Sequence, residues 1–270
     1  MRTTIGVEGI DALIEGGIPN GAAILISGEP GTGKSVLCLQ FLLAGIREGE
    51  PGVYASSDLP GRVYETAASL GWDLRGAVED GYARVIQLGA SASPSASLAV
   101  DEETDDRQPP ASMSGAHEVD DTPGGPPFGD APAGSAPGTA RLDAVAASQA
   151  VVAAVEEVGA HRIVLDRPAL PAAGTNEDAV PYVAELLRRT LSITHCTTLL
   201  TGQRNHDAPG YTRLGIEEQI VDGIIDLSIV ERDGRRYRTL SIRAMHGTAI
   251  DMDDRPFGIM KGRGIVFGES

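Results

Sequence analysis

A glycine-rich segment at residues 28–35 constrains the fold more than any other part of the chain. It fits the pattern G-x-x-x-x-G-K-[ST] at every defined position; an apolar run at residues 22–27 precedes it, and apolar residues at helical spacing over 35–46 follow it. Glycines let backbone N–H groups turn inward around an anion, and the following helix directs the positive end of its dipole at the same point. The segment therefore predicts a phosphate-binding loop between a buried strand and a helix.

The chemistry of a nucleotide assigns roles to single positions of this loop. Lys34 is predicted to reach the β- and γ-phosphate oxygens, which makes it a candidate catalytic residue, and the Ser35 hydroxyl is predicted to hold Mg²⁺. Asp166 closes the apolar segment 162–166, and an acid at the carboxyl end of a buried parallel strand points into the ligand crevice. It is the second predicted Mg²⁺ ligand, with a turn or helix cap as the alternative. The predicted ATP-binding residues are Gly28, Glu29, Pro30, Gly31, Thr32, Gly33, Lys34, Ser35 and Val36.

The remaining sequence alternates between patterns typical of strands and of helices. Asp233 and Gly234 form a strong hairpin signal, and short strands are expected near Gly258 and Ile265. Strands are predicted at residues 52–56, 82–88, 162–166, 196–201, 224–231 and 236–243, and helices at 60–70, 141–158 and 176–191. This order favours an α/β fold with a mostly parallel, twisted sheet flanked by helices and a C-terminal antiparallel hairpin extension.

Residues 90–140 differ in composition from everything around them. Serine, proline and glycine are frequent, and residues 91–140 contain nine acids but one base, Arg107. A segment without apolar periodicity cannot bury enough surface to offset the entropy of ordering it. We expect a disordered acidic insertion within a single domain that spans residues 1–270; a segment that binds a partner or regulates the domain is the alternative.

The chain is strongly acidic, with 38 acids against 22 bases and a net charge of -16. Only Lys34 and Lys261 are lysines, so the other 20 bases are arginines. An acidic surface repels phosphate backbones, which disfavours nucleic acid as a partner. This composition favours a halophilic source, whose salty cytoplasm screens the self-repulsion, with GC-rich codon usage as the alternative.

The chain shows no sign of export or of a membrane span. No apolar run approaches the 18 residues of a transmembrane helix, and residues 1–8 lack the apolar core of a signal peptide, so we expect a cytoplasmic protein without a membrane partner. Cys38 and Cys196 lie in apolar surroundings and form no CxxC pair. This pattern favours buried free thiols over a disulfide or a zinc site.

Several short motifs accompany the phosphate loop in a fixed order. They lie at residues 9–11, 16–21, 70–74, 211–218 and 237–242. Together with the loop they resemble the KaiC-like branch of the RecA superfamily of P-loop ATPases, over nearly the whole chain except residues 90–140. The resemblance implies a RecA-type P-loop NTPase core, binding of ATP with Mg²⁺, and homo-oligomeric rings or filaments that hold the nucleotide between subunits.

Two places depart from what this resemblance implies for hydrolysis. Where the family has a Glu-Glu pair that polarises the attacking water, this chain has Ser57 and Asp58. A base must lie within hydrogen-bond reach of its water, so Asp58 is the remaining candidate catalytic carboxylate, with capping of the helix at residues 60–70 as the alternative. Where the family has a Lys-x-Arg pair that reaches the neighbour's γ-phosphate, this chain has Ala244 and His246.

Gln203 and a group of arginines complete the set of candidate residues. Gln203 follows the strand predicted at residues 196–201, where an amide would sense the γ-phosphate and relay its state; an exposed strand-end residue is the alternative. Arginines of the predicted hairpin would line a ring pore or a subunit contact, or balance acidic neighbours in solvent. They are Arg232, Arg235, Arg236, Arg238 and Arg243.

Three functions fit these residues. The first is an Mg-ATP-binding ATPase that hydrolyses slowly and acts as a regulatory or signalling switch, through assembly or contacts with a regulatory protein partner. The second is a nucleotide-binding signalling or scaffold module with weak hydrolysis, which Ser57, Ala244 and His246 favour. The third is a recombination mediator on single-stranded DNA, which the net charge and the scarcity of aromatic residues disfavour.

Overall fold

The computed structural model describes residues 1–88, 137–168, 176–204 and 210–268. Most of the predicted insertion, residues 90–136, lies outside the described residues, so its disorder stays a prediction. The strands of the described part are β1 (Arg2–Thr3), β2 (Ile18–Pro19), β3 (Ala23–Gly28), β4 (Gly52–Ser56), β5 (Ala83–Gln87), β6 (Arg162–Asp166), β7 (Thr197–Gln203), β8 (Gly223–Arg232), β9 (Arg235–Met245), β10 (Arg255–Met260) and β11 (Gly264–Phe267). The helices are α1 (Glu8–Leu13), α2 (Lys34–Arg47), α3 (Pro60–Ser69), α4 (Leu74–Glu79), α5 (Pro137–Val158) and α6 (Asn176–Thr194).

Nine of the described strands form one sheet, in the order β11-β10-β9-β8-β3-β7-β6-β4-β5. The strands from β8 to β5 run parallel to one another, and β9, β10 and β11 extend the sheet in antiparallel fashion. The predicted α/β architecture, mostly parallel with a C-terminal antiparallel extension, is confirmed. Because β3 lies inside the sheet, the loop that follows its carboxyl end is flanked by β7 and β8.

Helices cover both faces of the parallel strands, which explains why the middle positions of these strands are mostly apolar. Every residue of β3, β4 and β6 is buried. On one face, Ile24 and Ile26 belong to a core cluster with Phe41 of α2. On the other face, Leu25 and Leu165 belong to a cluster with residues of α5 and α6. A sheet packed on both faces fixes the ends of its strands, and those ends carry the candidate site.

The helices and strands depart from the sequence prediction at several bounds. α5 begins at Pro137, four residues before its predicted start and within the segment predicted as insertion. β7 extends two residues further than predicted, so that Gln203 pairs with Gly28. The sequence reasoning missed α4, whose start is marked by Asp73, which accepts a hydrogen bond from the Gly76 N–H at 2.8 Å.

The hairpin and the cysteines agree with the sequence prediction. Asp233 and Gly234 connect β8 and β9 with φ values of +54 and +70, as a tight hairpin turn requires. Cys38 and Cys196 are buried free thiols. Within the described ranges, no helix is both long enough and apolar enough to cross a lipid bilayer.

A fully buried arginine, Arg162, joins three parts of the chain at the start of β6. Its guanidinium pairs with Glu48 at 2.9 Å and Glu50 at 2.8 Å, just beyond the end of α2. It also donates to the carbonyl oxygens of Thr4, at 2.6 Å, and Phe41, at 3.1 Å. Burying an unpaired charge is costly, so these partners are what make a guanidinium acceptable in the core.

Replacing Arg162 with alanine is expected to lower the free energy of unfolding by about 2–4 kcal/mol, because two buried carbonyls lose their donor and the side chain leaves a cavity. Urea titration followed by circular dichroism measures the loss. Arg188→Ala, at an exposed position of α6, is the matched control and should change stability by about 0.5 kcal/mol or less. Arg162→Lys, which keeps the charge without the fork, should give an intermediate loss. Equal stability of the Arg162 and Arg188 alanine variants would contradict this account.

Candidate functional site

The loop between β3 and α2 needs glycine at both ends, for reasons of space and conformation. Gly28 has φ +149, and a Cβ there would lie 2.3 Å from the carbonyl oxygen of Leu227 on β8. Gly33 has φ +110 and is the N-cap of α2. These two positions let the chain leave the sheet and enter the helix within residues 28–35, so that the free N–H groups of the first helical turn face the loop.

Lys34 folds back over this loop. Its Nζ donates to the carbonyl oxygens of Gly28, at 2.6 Å, and Glu29, at 2.9 Å. The buried Thr32 hydroxyl closes the loop by donating to the Glu29 carbonyl at 2.8 Å. Burial lowers the pKa of Lys34, and the charge of Asp166 opposes that shift. The ammonium group therefore lies where a phosphate held by backbone N–H groups would meet it.

The loop is exposed at its tip and packed at its far end. Pro30 and Gly31 are exposed to solvent. Val36, in the first turn of α2, is half-buried and packs against the core cluster of that face. The predicted nucleotide-binding residues thus form one continuous surface at the carboxyl edge of β3.

Asp166 is the centre of a hydroxyl cluster at the carboxyl end of β6. Its Oδ2 accepts from Ser35 Oγ at 3.0 Å and Tyr54 Oη at 2.8 Å, and its Oδ1 accepts from Thr201 Oγ1 at 2.8 Å. Asp166 is 3% exposed and Tyr54 is 1% exposed. Burial raises the pKa of the Tyr54 phenol, and the charge of Asp166 raises it further, so the phenol remains a neutral donor. Donors from α2, β4 and β7 therefore orient this carboxylate.

Ser35 and Asp166 bring together the two oxygen ligands that the sequence predicts for Mg²⁺. The Ser35 hydroxyl donates to the Asp166 carboxylate at 3.0 Å, and Ser35 directly follows Lys34 in the chain. Mg²⁺ prefers oxygen ligands and usually retains several waters in its coordination sphere. One hydroxyl and one carboxylate at the edge of a phosphate loop are a donor set that fits this cation.

Asp58 lies beside this cluster, just after the end of β4. The Ser57 N–H donates to the carbonyl oxygen of Asp166 at 3.3 Å, which joins the two strand ends. The N-cap of α3 is Leu59, and no side chain forms a cap hydrogen bond there. The Asp58 carboxylate instead contacts the guanidinium of Arg167. Capping by Asp58, the alternative raised from the sequence, is therefore wrong; its role at a water remains a prediction.

Sequence reasoning missed Tyr54 and Thr201, which orient Asp166, and also missed Arg167. Arg167 follows Asp166 directly and has φ +52, a conformation that residues other than glycine rarely adopt. Its backbone N–H donates at 2.7 Å to Thr201 Oγ1, the same hydroxyl that donates to Asp166. The sequence signal is an unusual Arg-Pro pair after a strand-end acid. That pair does not reveal the direction of the arginine side chain.

Gln203 ends β7 directly opposite Gly28, in the register of the two parallel strands. Gln203 is exposed, and its carbonyl oxygen accepts from the Arg213 N–H at 2.8 Å. The amide thus lies at the same sheet edge as the phosphate loop, and its backbone is bonded to the segment that follows residue 210. Sensing of the γ-phosphate by Gln203 remains a prediction.

Ala244 and His246 lie away from the phosphate loop of their own chain. The His246 N–H donates to the Asp222 carbonyl at 2.7 Å, and the Asp222 N–H donates to the Ala23 carbonyl at 2.8 Å. These bonds place His246 beside the start of β3, whereas the loop follows the other end of that strand. The length of β3 therefore separates His246 from the phosphate loop by about 15 Å. Both positions are exposed, so any contact of theirs with a phosphate loop requires a second chain.

The hairpin arginines do not act as one group. Arg238 reaches the tip of the phosphate loop, where its Nε donates to the Gly31 carbonyl at 3.2 Å. Arg243 pairs with Asp254 at 3.2 Å. The arginines nearest the turn are exposed; they are Arg232, Arg235 and Arg236.

A protein-family model described as "ATPase: KaiC" matches residues 3–113 and 130–270 of the chain. The match covers well over half of the sequence and includes the phosphate loop and Asp166. The chain belongs to the KaiC family of ATPases. The resemblance inferred from the short motifs is thereby confirmed.

Relatives of the KaiC-family chain include proteins of two different lengths. A UPF0273 protein of Pyrococcus furiosus is 30% identical over 271 residues, which cover 98% of this chain and 93% of that protein. The circadian clock oscillator protein KaiC of Synechococcus elongatus is 30% identical over 264 residues, which cover 96% of this chain but 42% of the clock protein. This chain is therefore similar to nearly the whole of the first protein and to less than half of the second.

A solved structure supports the fold of this KaiC-family chain. The crystal structure of a KaiC-like protein from Pyrococcus horikoshii matches with a TM-score of 0.69, covering 100% of this chain and 99% of that one at 24% sequence identity. At this level of identity the match concerns the fold alone. The nine-stranded arrangement is thus a KaiC-like fold.

Tyr54→Phe is expected to lower the free energy of unfolding by about 1–3 kcal/mol, because the buried Asp166 carboxylate loses one of its donors. The matched control is Tyr182→Phe. Tyr182 is also fully buried, but its hydroxyl has no hydrogen-bond partner within the described part of the chain. The control should therefore be neutral or slightly stabilising. Urea titration of the two variants at pH 7 measures the difference, and an equal loss in both would contradict a role for the Tyr54–Asp166 bond.

Proposed function

We propose that this KaiC-family protein binds Mg-ATP at residues 28–35, hydrolyses it slowly and acts as a regulatory or signalling switch. The observation that carries the proposal is the approach of the Ser35 hydroxyl and the Asp166 carboxylate to 3.0 Å at the end of the phosphate loop. Two oxygen ligands meet there beside a lysine and the start of a helix. This is the combination that binds magnesium and phosphate in P-loop ATPases.

Different groups of the site would bind different parts of Mg-ATP. Backbone N–H groups of the loop and of the first turn of α2 would bind the β-phosphate. Lys34 would neutralise the β- and γ-phosphate oxygens, and Ser35 and Asp166 would hold Mg²⁺. The cation supplies positive charge that offsets the negative charge of the phosphates. Tyr54 and Thr201 would keep the Asp166 carboxylate in place while it does so.

Hydrolysis needs a positioned water and a group that accepts its proton. The water oxygen bonds to the γ-phosphorus, the bond from that phosphorus to the bridging oxygen breaks, and ADP leaves with the electron pair. Asp58 would position the water, accept its proton and release it to solvent. Its neighbour Ser57 offers no second carboxylate. A slow rate is expected for that reason.

The switch would act through the segment after β7 and through assembly. Gln203, opposite Gly28, would sense the γ-phosphate, and its backbone bond to Arg213 would transmit that state to the segment beyond. The edge that carries Ala244 and His246 would face a second copy in a ring or filament, or a regulatory protein partner. A homo-oligomer is the arrangement we propose.

A nucleotide sensor without useful hydrolysis is the second candidate. It is favoured by Ser57, where the first carboxylate is absent, and by Ala244 and His246, where permanent cations are absent. Such a protein would bind Mg-ATP and Mg-ADP through the same loop. It would differ from the first candidate in phosphate release and not in affinity.

Calorimetric titration with Mg-ATP, together with phosphate release, tests the proposal in wild type, Lys34→Ala and Lys261→Ala. Wild type is expected to bind and to release phosphate. Lys34→Ala should weaken binding at least about tenfold, since it removes a charged contact, and should abolish phosphate release. Lys261, the other lysine of the chain, is exposed between β10 and β11, so Lys261→Ala should change neither quantity.

The outcomes separate the two candidates. Binding with phosphate release that Lys34→Ala abolishes establishes the ATPase. Binding without phosphate release assigns the sensor function instead. A folded wild-type protein that binds neither Mg-ATP nor Mg-ADP would overturn both.

A further inference from the structure

An arginine follows one candidate carboxylate of the site in sequence and contacts the other through its side chain. Arg167 follows Asp166 at the end of β6, and its guanidinium contacts the Asp58 carboxylate beyond the end of the neighbouring strand, β4. The Arg167 side chain is 52% exposed and that of Asp58 is 26% exposed. The pair therefore lies at the open carboxyl edge of the sheet, where a ligand has access, and not in the core.

The backbone holds Arg167 in an unfavourable conformation at this place. Its φ of +52 is strained for a residue with a side chain. The bond from its N–H to Thr201 Oγ1, at 2.7 Å, and the buried Pro168 after it fix the turn. Backbone strain of this kind persists where the surroundings impose it, and it concentrates at functional sites.

A hydrogen bond relates Arg167 to the phosphate lysine. The Ser35 hydroxyl donates to the Asp166 carboxylate at 3.0 Å. Lys34 directly precedes Ser35 in the chain, and Arg167 directly follows Asp166. The two cations therefore belong to residues that adjoin one hydrogen-bonded pair at the end of the phosphate loop.

Hydrolysis of ATP creates a demand for such a cation. Negative charge spreads over the transferred phosphoryl group, and an arginine supplied to it accelerates hydrolysis by about 10³–10⁵-fold. Two other arginines contact the loop itself. Arg238 donates to the Gly31 carbonyl at the exposed tip, and Arg204 bonds to Gly28 through its backbone N–H while its guanidinium pairs with Asp226. Arg167 instead lies at the strand ends that carry the two carboxylates, in contact with Asp58, to which the proposed function assigns the attacking water.

We propose that Arg167 is a catalytic residue supplied by the same chain: its guanidinium, oriented by Asp58, contacts the γ-phosphate of bound Mg-ATP and neutralises the charge that develops there. This inference rests on the proposed function, because it assigns a role within the same site. Asp58 Oδ1 takes the arginine contact, and Oδ2 is then the oxygen that accepts the proton of the water. Arg167 stays charged throughout and transfers no proton.

Affinities for Mg-ADP and for a non-hydrolysable β,γ-imido analogue of Mg-ATP test the inference. Arg167→Gly removes the guanidinium and adopts the same φ without strain, so this variant should fold. It should bind the analogue about tenfold more weakly or worse while its affinity for Mg-ADP changes less than about twofold, because one charged contact to the γ-phosphate is lost. Phosphate release at saturating Mg-ATP should fall by about 100-fold or more.

Two further variants control for charge and shape. Arg167→Lys keeps the charge but loses the planar fork, so it should retain part of the preference for the triphosphate analogue. Arg188→Ala removes a positive charge from an exposed position of α6 that is paired with Glu185. It should change neither affinity nor phosphate release.

Several results would overturn the inference. An equal loss of affinity for Mg-ADP and the analogue in Arg167→Gly would show a purely structural role, and faster phosphate release would show an inhibitory contact with Asp58. If wild type binds without releasing phosphate, the ratio of the two affinities alone decides. A wild-type protein that binds neither nucleotide would overturn the proposed function itself, which distinguishes that failure from the loss of this inference alone.

Discussion

At the carboxyl end of β6, one buried carboxylate accepts hydrogen bonds from hydroxyl groups on three other elements. Ser35 comes from α2, Tyr54 from β4 and Thr201 from β7, at 2.8–3.0 Å from the Asp166 oxygens. An ionised carboxylate without donors would be costly at a position that is 3% exposed. The cluster therefore explains how an acid is accommodated there. It also fixes the first turn of α2, and with it the phosphate loop, against the neighbouring strands.

Under the proposed function, the same interaction prepares the site for a cation. Asp166 and Ser35 already lie 3.0 Å apart, so both would need little reorganisation to hold Mg²⁺ with its waters. Thr201 has a second function, because its Oγ1 accepts the N–H of Arg167 while it donates to Asp166. The arrangement of the carboxylate and the direction of the next residue are thus coupled through one hydroxyl.

The sequence predicts the parts of the site that depend on local pattern. Residues 28–35 are recognisable because the groups predicted to bind phosphate all lie within this one short segment. Asp166 is recognisable because it ends an apolar strand. Tyr54 is not recognisable, since in sequence it is one apolar position of a buried strand. Its role depends on β6 lying beside β4, a pairing between residues more than 100 positions apart.

Two further residues show where local reasoning ends. Asp58 precedes Pro60, so the sequence offers helix capping as readily as catalysis; the ion pair with Arg167, 109 positions away, decides against the cap. The direction of Arg167 depends on a positive φ that a hydroxyl 34 positions away helps to hold. Neither contact has a signature within a window of neighbouring residues.

Two arginines of β6 and its end show how surroundings decide what a guanidinium does. Arg162, at the start of the strand, is fully buried, and its partners are carboxylates and main-chain carbonyl oxygens. Its charge is compensated by partners within the fold. Arg167, one residue past the other end, is half-exposed and has Asp58 as its charged partner. Arg162 is therefore a structural arginine, whereas the exposed guanidinium of Arg167 is the one to which we assign a functional role.

A cation supplied from within the chain also changes how assembly can control hydrolysis. The edge that carries Ala244 and His246 starts beside the first residue of β3, so it reaches only the loop of another chain. Because Ala244 and His246 carry no permanent charge, these two positions of a neighbour would add little to charge neutralisation at the γ-phosphate. Under the proposed mechanism, the neighbour would instead act on the segment bonded to Gln203. Assembly would then control the arrangement of the residues around the γ-phosphate, whereas the positive charge needed for each hydrolysis would come from the chain's own Arg167.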